Sequence, residues 1–240
     1  MIKICLDPGH GGKDPGAIGF GLHEADVCLK LAKMVNEELG KFEGVAVTLT
    51  RWDDRFIPLS ERAAYANRNG VNYFISLHNN AASPSANGFE SYVYESPSQA
   101  SVANQNVLHE TVAAYMAKYG IRDRGKKRAN YAVVRETKMP AILLENLFIT
   151  NERENKLLRD DAFLRGLAAA IAAGIAKMFG LKKKAVAQPV QSQPKAQPAQ
   201  MHRVIVDGKP VIDTAYPDKL LASVKEALGK YQDKVEIIKR

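Results

Sequence analysis

With 240 residues, 46% of them hydrophobic and 25% charged, the chain holds enough apolar material for one substantial core and a small second unit, which excludes disordered and fibrous classes. Two cysteines, Cys5 and Cys28, supply neither a disulfide framework nor a C-x-x-C metal pair and read as small buried side chains. The net charge of +8 suits a polyanionic surface; a nucleic-acid partner is not expected, because the basic runs 122–128 and 182–184 lack interleaved aromatics.

Ile2-Lys3-Ile4-Cys5-Leu6 is an apolar run of strand type that stops in Asp7-Pro8-Gly9-His10-Gly11-Gly12, so a strand presents an imidazole in a turn that Pro and Gly allow to bend tightly. A basic start, apolar stretch and cleavage site do not precede this strand, and the expectation is a soluble protein without a signal peptide. Residues 24–39 carry Val27, Leu31, Met34, Val35 and Leu39 near helical spacing, with Gly40 as a stop. A strand at 45–49 and a helix at 59–69 follow. The third strand, 73–77, ends in His78-Asn79-Asn80. Residues 88–94 alternate as a strand, 100–119 form a long helix, 131–134 a short strand, and 141–144 a buried strand that runs into Glu145. The stretch 152–179 is helical with a break near Asp160-Asp161 and an end at Gly180. Its most apolar part, 166–176, is too short to span a bilayer, so no integral membrane segment is expected.

This alternation predicts an α/β domain over 1–184, a three-layer sandwich with a mostly parallel twisted sheet. Residues 185–200, rich in Gln, Pro and Ala, read as a linker. Residues 201–240 read as a small α+β domain, with strands at 202–206, 211–212 and 235–238, a turn at Asp207-Gly208 and a helix over about 218–228.

His10, His78 and Glu145 all follow strands, and ligands of open α/β sheets bind at that end. A catalytic zinc site commonly takes three ligands from His and carboxylate, of which His10 and His78 supply two. Glu24, Asp26, Asp7, Asp14 and Glu145 are candidates for the third, and spacing does not choose among them. A second carboxylate must stay unbound to move protons, and Glu145 suits that role because its apolar strand would favour the protonated form. The structural alternative is a salt bridge from Glu145 to Arg51 or Arg135. His23 adjoins Glu24 but shares no helix face with it. His109 reads as helix surface, and His202 borders the linker.

Asp7-Pro8-Gly9-His10-Gly11-Gly12, Glu24, Thr50-Arg51, Leu59-x-x-Arg62, Ser76-Leu77-His78-Asn79-Asn80 and Pro140-Ala141-Ile142-Leu143-Leu144-Glu145-Asn146 with Phe148-Ile149-Thr150-Asn151 resemble the zinc-dependent N-acetylmuramoyl-L-alanine amidases of the amidase type 3 family, in motif order over roughly 2–179. The resemblance implies that His10, Glu24 and His78 bind Zn²⁺, that Glu145 is catalytic, and that peptidoglycan is cut between N-acetylmuramic acid and L-alanine. Leu147 departs from the pattern, where a glycine often stands. The C-terminal unit more weakly resembles the terminal domains of phage endolysins. That implies a phage or prophage endolysin, cytoplasmic until release and then active at the cell wall, with 201–240 associating with the wall. The rival functions are a zinc peptidase acting on the stem peptide, which needs a cationic pocket for a terminal carboxylate, and a non-catalytic wall-binding protein. Nothing in the sequence specifies an oligomeric state.

Overall fold

The computed structural model describes residues 1–184 in full and, beyond them, the backbone of the strands His202–Val206, Lys209–Thr214 and Val235–Lys239. The chain divides into two compact units, Met1–Lys184 and Ala185–Arg240.

In the first unit the main strands are β1 (Ile2–Pro8), β4 (Val45–Leu49), β5 (Tyr73–Asn80), β6 (Phe89–Val93), β7 (Asp123–Arg128) and β8 (Ala141–Phe148). A two-stranded hairpin, β2 (Ile18–Gly19) and β3 (Leu22–His23), follows the first loop. The sheet order is β4-β1-β5-β8-β6-β7. Its first four strands are mutually parallel, β6 runs antiparallel to β8, and β7 runs parallel to β6. The helices are α1 (Glu24–Leu39), α2 (Leu59–Arg68), α3 (Gln99–Ala117), α4 (Ala132–Arg135), α5 (Glu152–Arg159) and α6 (Asp161–Phe179).

Strand alternation decides what each face buries. Ile4, Leu6, Tyr73, Ile75, Leu77, Ile142 and Leu144 meet α1, α3 and α6 in the larger core, whereas Cys5, Phe74 and Leu143 meet Val133, Val134 and Ala66 on the α2 and α4 side. Both cysteines are buried and free. The architecture is therefore the three-layer, mostly parallel α/β sandwich that the sequence predicts.

Asp160 makes the break between α5 and α6. Its extended backbone ends one helix, and its carboxylate accepts from Ala162 N at 2.8 Å and Phe163 N at 3.4 Å to cap the next. Gly180, at φ +61, stops α6 in a left-handed conformation that favours glycine. By length and composition α6 could cross a membrane, but Phe163, Leu164, Leu167, Ile171 and Ile175 are fully buried against the sheet, α1 and α3. Its apolar face is spent on the core.

Two expectations are corrected. Residues 131–134 do not form a strand: Tyr131 starts the single turn α4, which turns both Val133 and Val134 inward. The strand of this region is instead Asp123-Arg124-Gly125-Lys126-Lys127-Arg128, an edge strand, which needs a neighbour on one side only and so carries little apolar alternation. His109 is not surface but buried. It bonds Ser91 Oγ through Nδ1 at 2.8 Å and Asp123 Oδ1 through Nε2 at 2.9 Å, tying α3 to both β6 and β7. Although these residues form a Ser–His–Asp line, Ser91 is fully buried and also holds Gln105, so the line joins elements and offers no nucleophile.

Among the described residues of the second unit, β9 (His202–Val206) is central, with β10 (Lys209–Thr214) and β11 (Val235–Lys239) antiparallel on either side. The expected linker and the helix over 218–228 lie outside the described residues.

Leu167, fully buried on the inner face of α6, tests the core. Leu167→Ala should destabilise the first unit by about 2–5 kcal/mol, the usual cost of a large-to-small core substitution. Urea unfolding followed through the chain's single tryptophan, Trp52, measures it, and a cost below about 1 kcal/mol would contradict the packing.

Candidate metal centre

The loop after β1 is held by its own carbonyls. Arg51 donates from Nε to Pro8 O at 3.1 Å and from Nη2 to Gly9 O and Ala25 O, each at 2.7 Å. Arg62 donates from Nη1 to Pro8 O at 2.6 Å and to Asp7 Oδ1 at 2.9 Å, and from Nη2 to His10 O at 2.7 Å. Asp7 is buried and also accepts from Thr50 Oγ1 at 2.6 Å and Ser76 Oγ at 2.8 Å. Asp7 is thus committed to the scaffold. The grip on the Pro8, Gly9 and His10 carbonyls holds His10 at φ +59, a region that residues with a Cβ seldom occupy. Gly9 passes directly beneath His78, where a Cβ would lie 2.3 Å from Cε1 of its ring.

Donor atoms of His10, Glu24 and His78 lie within 4.8 Å of one another. Glu24 opens α1 and accepts from His10 Nε2 at 3.2 Å and His78 Nδ1 at 3.0 Å, and from the backbone N–H groups of Ala17 at 2.9 Å and Asn79 at 3.0 Å. Burial works against its charge, but the two imidazoles hold its carboxyl well below the usual carboxylate range. For His10, burial again opposes charging, and the bonds to Glu24 and Asp14 outweigh it and raise the imidazole pKa. Asp14 accepts from His10 Nδ1 at 2.9 Å, so it orients the ring from behind instead of joining the cluster. Asp26 is exposed beside His23, at 3.9 Å, and both stand apart. Two imidazoles and a carboxylate, one imidazole braced by a second carboxylate, are the donor set of a catalytic zinc site, and the residues fit such an ion.

Sequence reasoning placed His78 and Glu145 just beyond their strands. Both in fact lie within them, as direct neighbours in register across β5 and β8. Glu145 Oε2 is shut off from solvent and finds no hydrogen-bond partner among the described residues. Neither arginine weighed as a salt-bridge partner reaches it, since Arg51 holds the first loop and Arg135 bonds Asn130 and Glu136. Burial, then the negative charges of Glu24 and Glu90, push its pKa well above the carboxylate range.

The four side chains share one crevice of about 310 Å³, walled by Leu59, Leu143, Val133 and Tyr131 and lined also by Asn80. Two contributors escaped the sequence reading. Asp14 was weighed only as a ligand, although its spacing of four from His10 through a glycine-rich turn was the available sign. Glu90, bonded to Asn80 at 2.7 Å and placed opposite Glu145, carries no local sign at all.

The family described as N-acetylmuramoyl-L-alanine amidase matches residues 4–177. An endolysin of Bacillus phage SPP1 is 43% identical over 209 residues, covering 86% of this chain and 77% of that protein. The N-acetylmuramoyl-L-alanine amidase CwlM of Bacillus licheniformis is 39% identical over 188 residues, 78% of this chain and 72% of that protein. Among solved structures, the catalytic domain of the amidase CwlV from Bacillus (Paenibacillus) polymyxa var. colistinus superposes with a TM-score of 0.71 at 37% identity, covering 76% of this chain and all of that one. The family match spans every residue of the crevice, and the chain belongs to the N-acetylmuramoyl-L-alanine amidase family.

Proposed function

We propose that this chain is a zinc-dependent N-acetylmuramoyl-L-alanine amidase that hydrolyses the amide between the lactyl group of N-acetylmuramic acid and L-alanine in peptidoglycan. The observation that carries this reading is the convergence of His10, Glu24 and His78 beside a buried carboxyl, Glu145, that no other described residue engages.

His10, Glu24 and His78 would hold Zn²⁺, with Asp14 fixing the orientation and tautomer of His10. The ion would supply Lewis acidity, polarising the scissile carbonyl and acidifying water. Glu145 accepts the proton of the water that attacks the carbonyl carbon. It returns that proton to the amide nitrogen as the C–N bond breaks, releasing a carboxylate on the sugar side and the free amine of L-alanine. A carboxyl whose pKa is raised holds the proton it takes from water more readily than an ordinary glutamate, which suits its return to the departing amine. The apolar wall of Leu143 and Val133 limits competing water beside it.

The likeness to a phage endolysin supports a lytic role, held in the cytoplasm until release and exercised at the cell wall. In this reading residues 1–184 are the catalytic domain, 185–200 the linker and 201–240 a wall-associating domain.

Chelation should abolish hydrolysis and Zn²⁺ should restore it, with mass spectrometry of digested peptidoglycan finding new L-alanine amino termini. Glu145→Gln should keep the metal and lose turnover by about 10²–10⁴. Full activity in metal-free protein, or new ends elsewhere in the peptide, would overturn the assignment.

Glu145 also sets a pH signature in metal-free protein. Its folded pKa lies above its unfolded value of about 4.3, so its contribution to stability is present below that value and is lost as pH rises through the folded pKa. Glutamine does not titrate. The melting temperature of chelated Glu145→Gln should therefore match wild type near pH 4 and exceed it increasingly toward neutrality; a difference independent of pH would refute the raised pKa.

Deleting residues 201–240 should weaken pelleting with whole walls and slow their lysis, since a tether raises local concentration only at an insoluble polymer. Hydrolysis of a soluble muropeptide should be retained. Equal pelleting of the truncated and full chains would remove the tail as anchor.

A further inference from the structure

The crevice adjoins, through Asn80, an ionic cluster that the proton transfers do not use. Asn80, on the crevice wall, donates to Glu90 Oε1 at 2.7 Å, and the Tyr92 hydroxyl donates to the same oxygen at 2.9 Å. Oε2 accepts from Arg124 Nε at 2.7 Å and from Lys127 Nζ. Glu90 is buried, whereas the side chains of Arg124 and Lys127 are 28% and 35% exposed, so solvent reaches part of each. One carboxylate faces two cations. A single partner would neutralise Glu90, and Glu154, the other carboxyl within Coulombic reach of Arg124, also faces Arg153, so three cations meet two acidic groups and a positive charge is left over. Tyr131, on the crevice wall, packs edge-on against Tyr92 at 5.2 Å between centroids and joins the two regions.

Register gives the separation. Glu90 lies opposite Glu145, and β7 is the next strand outward, so two strand spacings put the β7 backbone about 10 Å from that of Glu145, with the Arg124 and Lys127 side chains reaching inward to the Glu90 carboxylate. An extended peptide advances about 3.3–3.6 Å per residue, so one whose first amide is at Glu145 brings its second or third residue to β7.

We infer that Arg124 and Lys127 form a carboxylate-binding subsite for the peptide on the leaving-amine side of the scissile bond. The inference rests on the amidase reading: the N-acetylated glycan is uncharged away from the scissile lactyl group, so an anion reaching β7 belongs to the peptide. Glu90 and Tyr92 hold the cations in place, and the surplus charge is what the substrate carboxylate meets. Lys126, which turns to the α3 side and pairs with Glu110 at 3.3 Å, takes no part.

The test uses the full chain and a soluble muramoyl tripeptide, L-Ala-D-Glu-L-Lys, in two forms, with peptide carboxylates free or converted to carboxamides. Wild type should prefer the free acid by about tenfold or more in kcat/KM, the scale of one charge-assisted hydrogen bond. Lys127→Gln and Arg124→Gln should drive that ratio toward one through KM, while Lys127→Arg and Lys126→Gln should keep it. A wild type indifferent to the carboxylates, or variants that lose both substrates alike with the ratio intact, would overturn the subsite. Calorimetric titration of the free tripeptide into wild type and Lys127→Gln decides the same point without turnover; equal affinity for both proteins would overturn it. Cleavage of neither substrate by wild type would count against the amidase reading alone. Release of the terminal lysine in place of an L-alanine amine would transfer the subsite to the peptidase reaction.

Discussion

The carboxylate of Asp7 has no route to solvent, and its charge is balanced by Arg62 at 2.9 Å with Thr50 and Ser76 filling the remaining acceptor positions. Removing one partner of such a pair typically costs about 3–5 kcal/mol, because the other is left charged and buried. Here more than stability follows from it. Once Asp7 fixes Arg62, that guanidinium is committed to the carbonyls of Pro8 and His10, and Arg51 completes the grip at Gly9 and Ala25. The loop geometry, the left-handed backbone at His10 and the start of α1 beside Glu24 all descend from these contacts. A lysine in place of either arginine would keep the charge and lose the planar spread of donors that reaches several carbonyls at once.

The crevice is an electrostatic compromise between two carboxylates with opposite tasks. Glu24 is surrounded by donors and stays charged, as the proposed ligand role requires. Glu145, one strand away from His78 in register, is surrounded by apolar walls and other negative charges, and is driven toward its neutral form. The same residue type thus takes two roles according to what faces it. The reversed strand β6 adds a third carboxylate, Glu90, whose own cations keep it ionised against burial.

Much of this was legible in the sequence because the signals are local. Apolar runs ending in Asp-Pro-Gly-His and in Ser-Leu-His-Asn-Asn mark strands that deliver a histidine, and Glu145 stands out as an acid in an apolar strand. What spacing alone left open was which carboxylate joins the two histidines, since Asp7, Asp14, Glu24, Asp26 and Glu145 differ chiefly in what faces them after folding. The edge strand β7 was missed because a strand with one neighbour needs no apolar face, and α4 was misread because two consecutive valines favour a strand until a turn buries both. His109 was misplaced for a related reason. Its acceptor, Asp123, sits on that unrecognised strand, so the partner that makes burial tolerable was invisible.

Gly9 carries a consequence for how such a chain can diverge. With any other residue, a Cβ would stand 2.3 Å from the His78 ring, a distance that the ring or the loop beneath it must shift to relieve. The position is closed to drift for as long as His78 and that loop keep their places in the crevice. A descendant bearing a side chain there must have moved that imidazole, or the loop that carries His10, out of line with Glu24. Position 9 therefore records, in one letter, whether a copy of this scaffold still holds its cage or has passed into a lineage where the fold outlives the reaction.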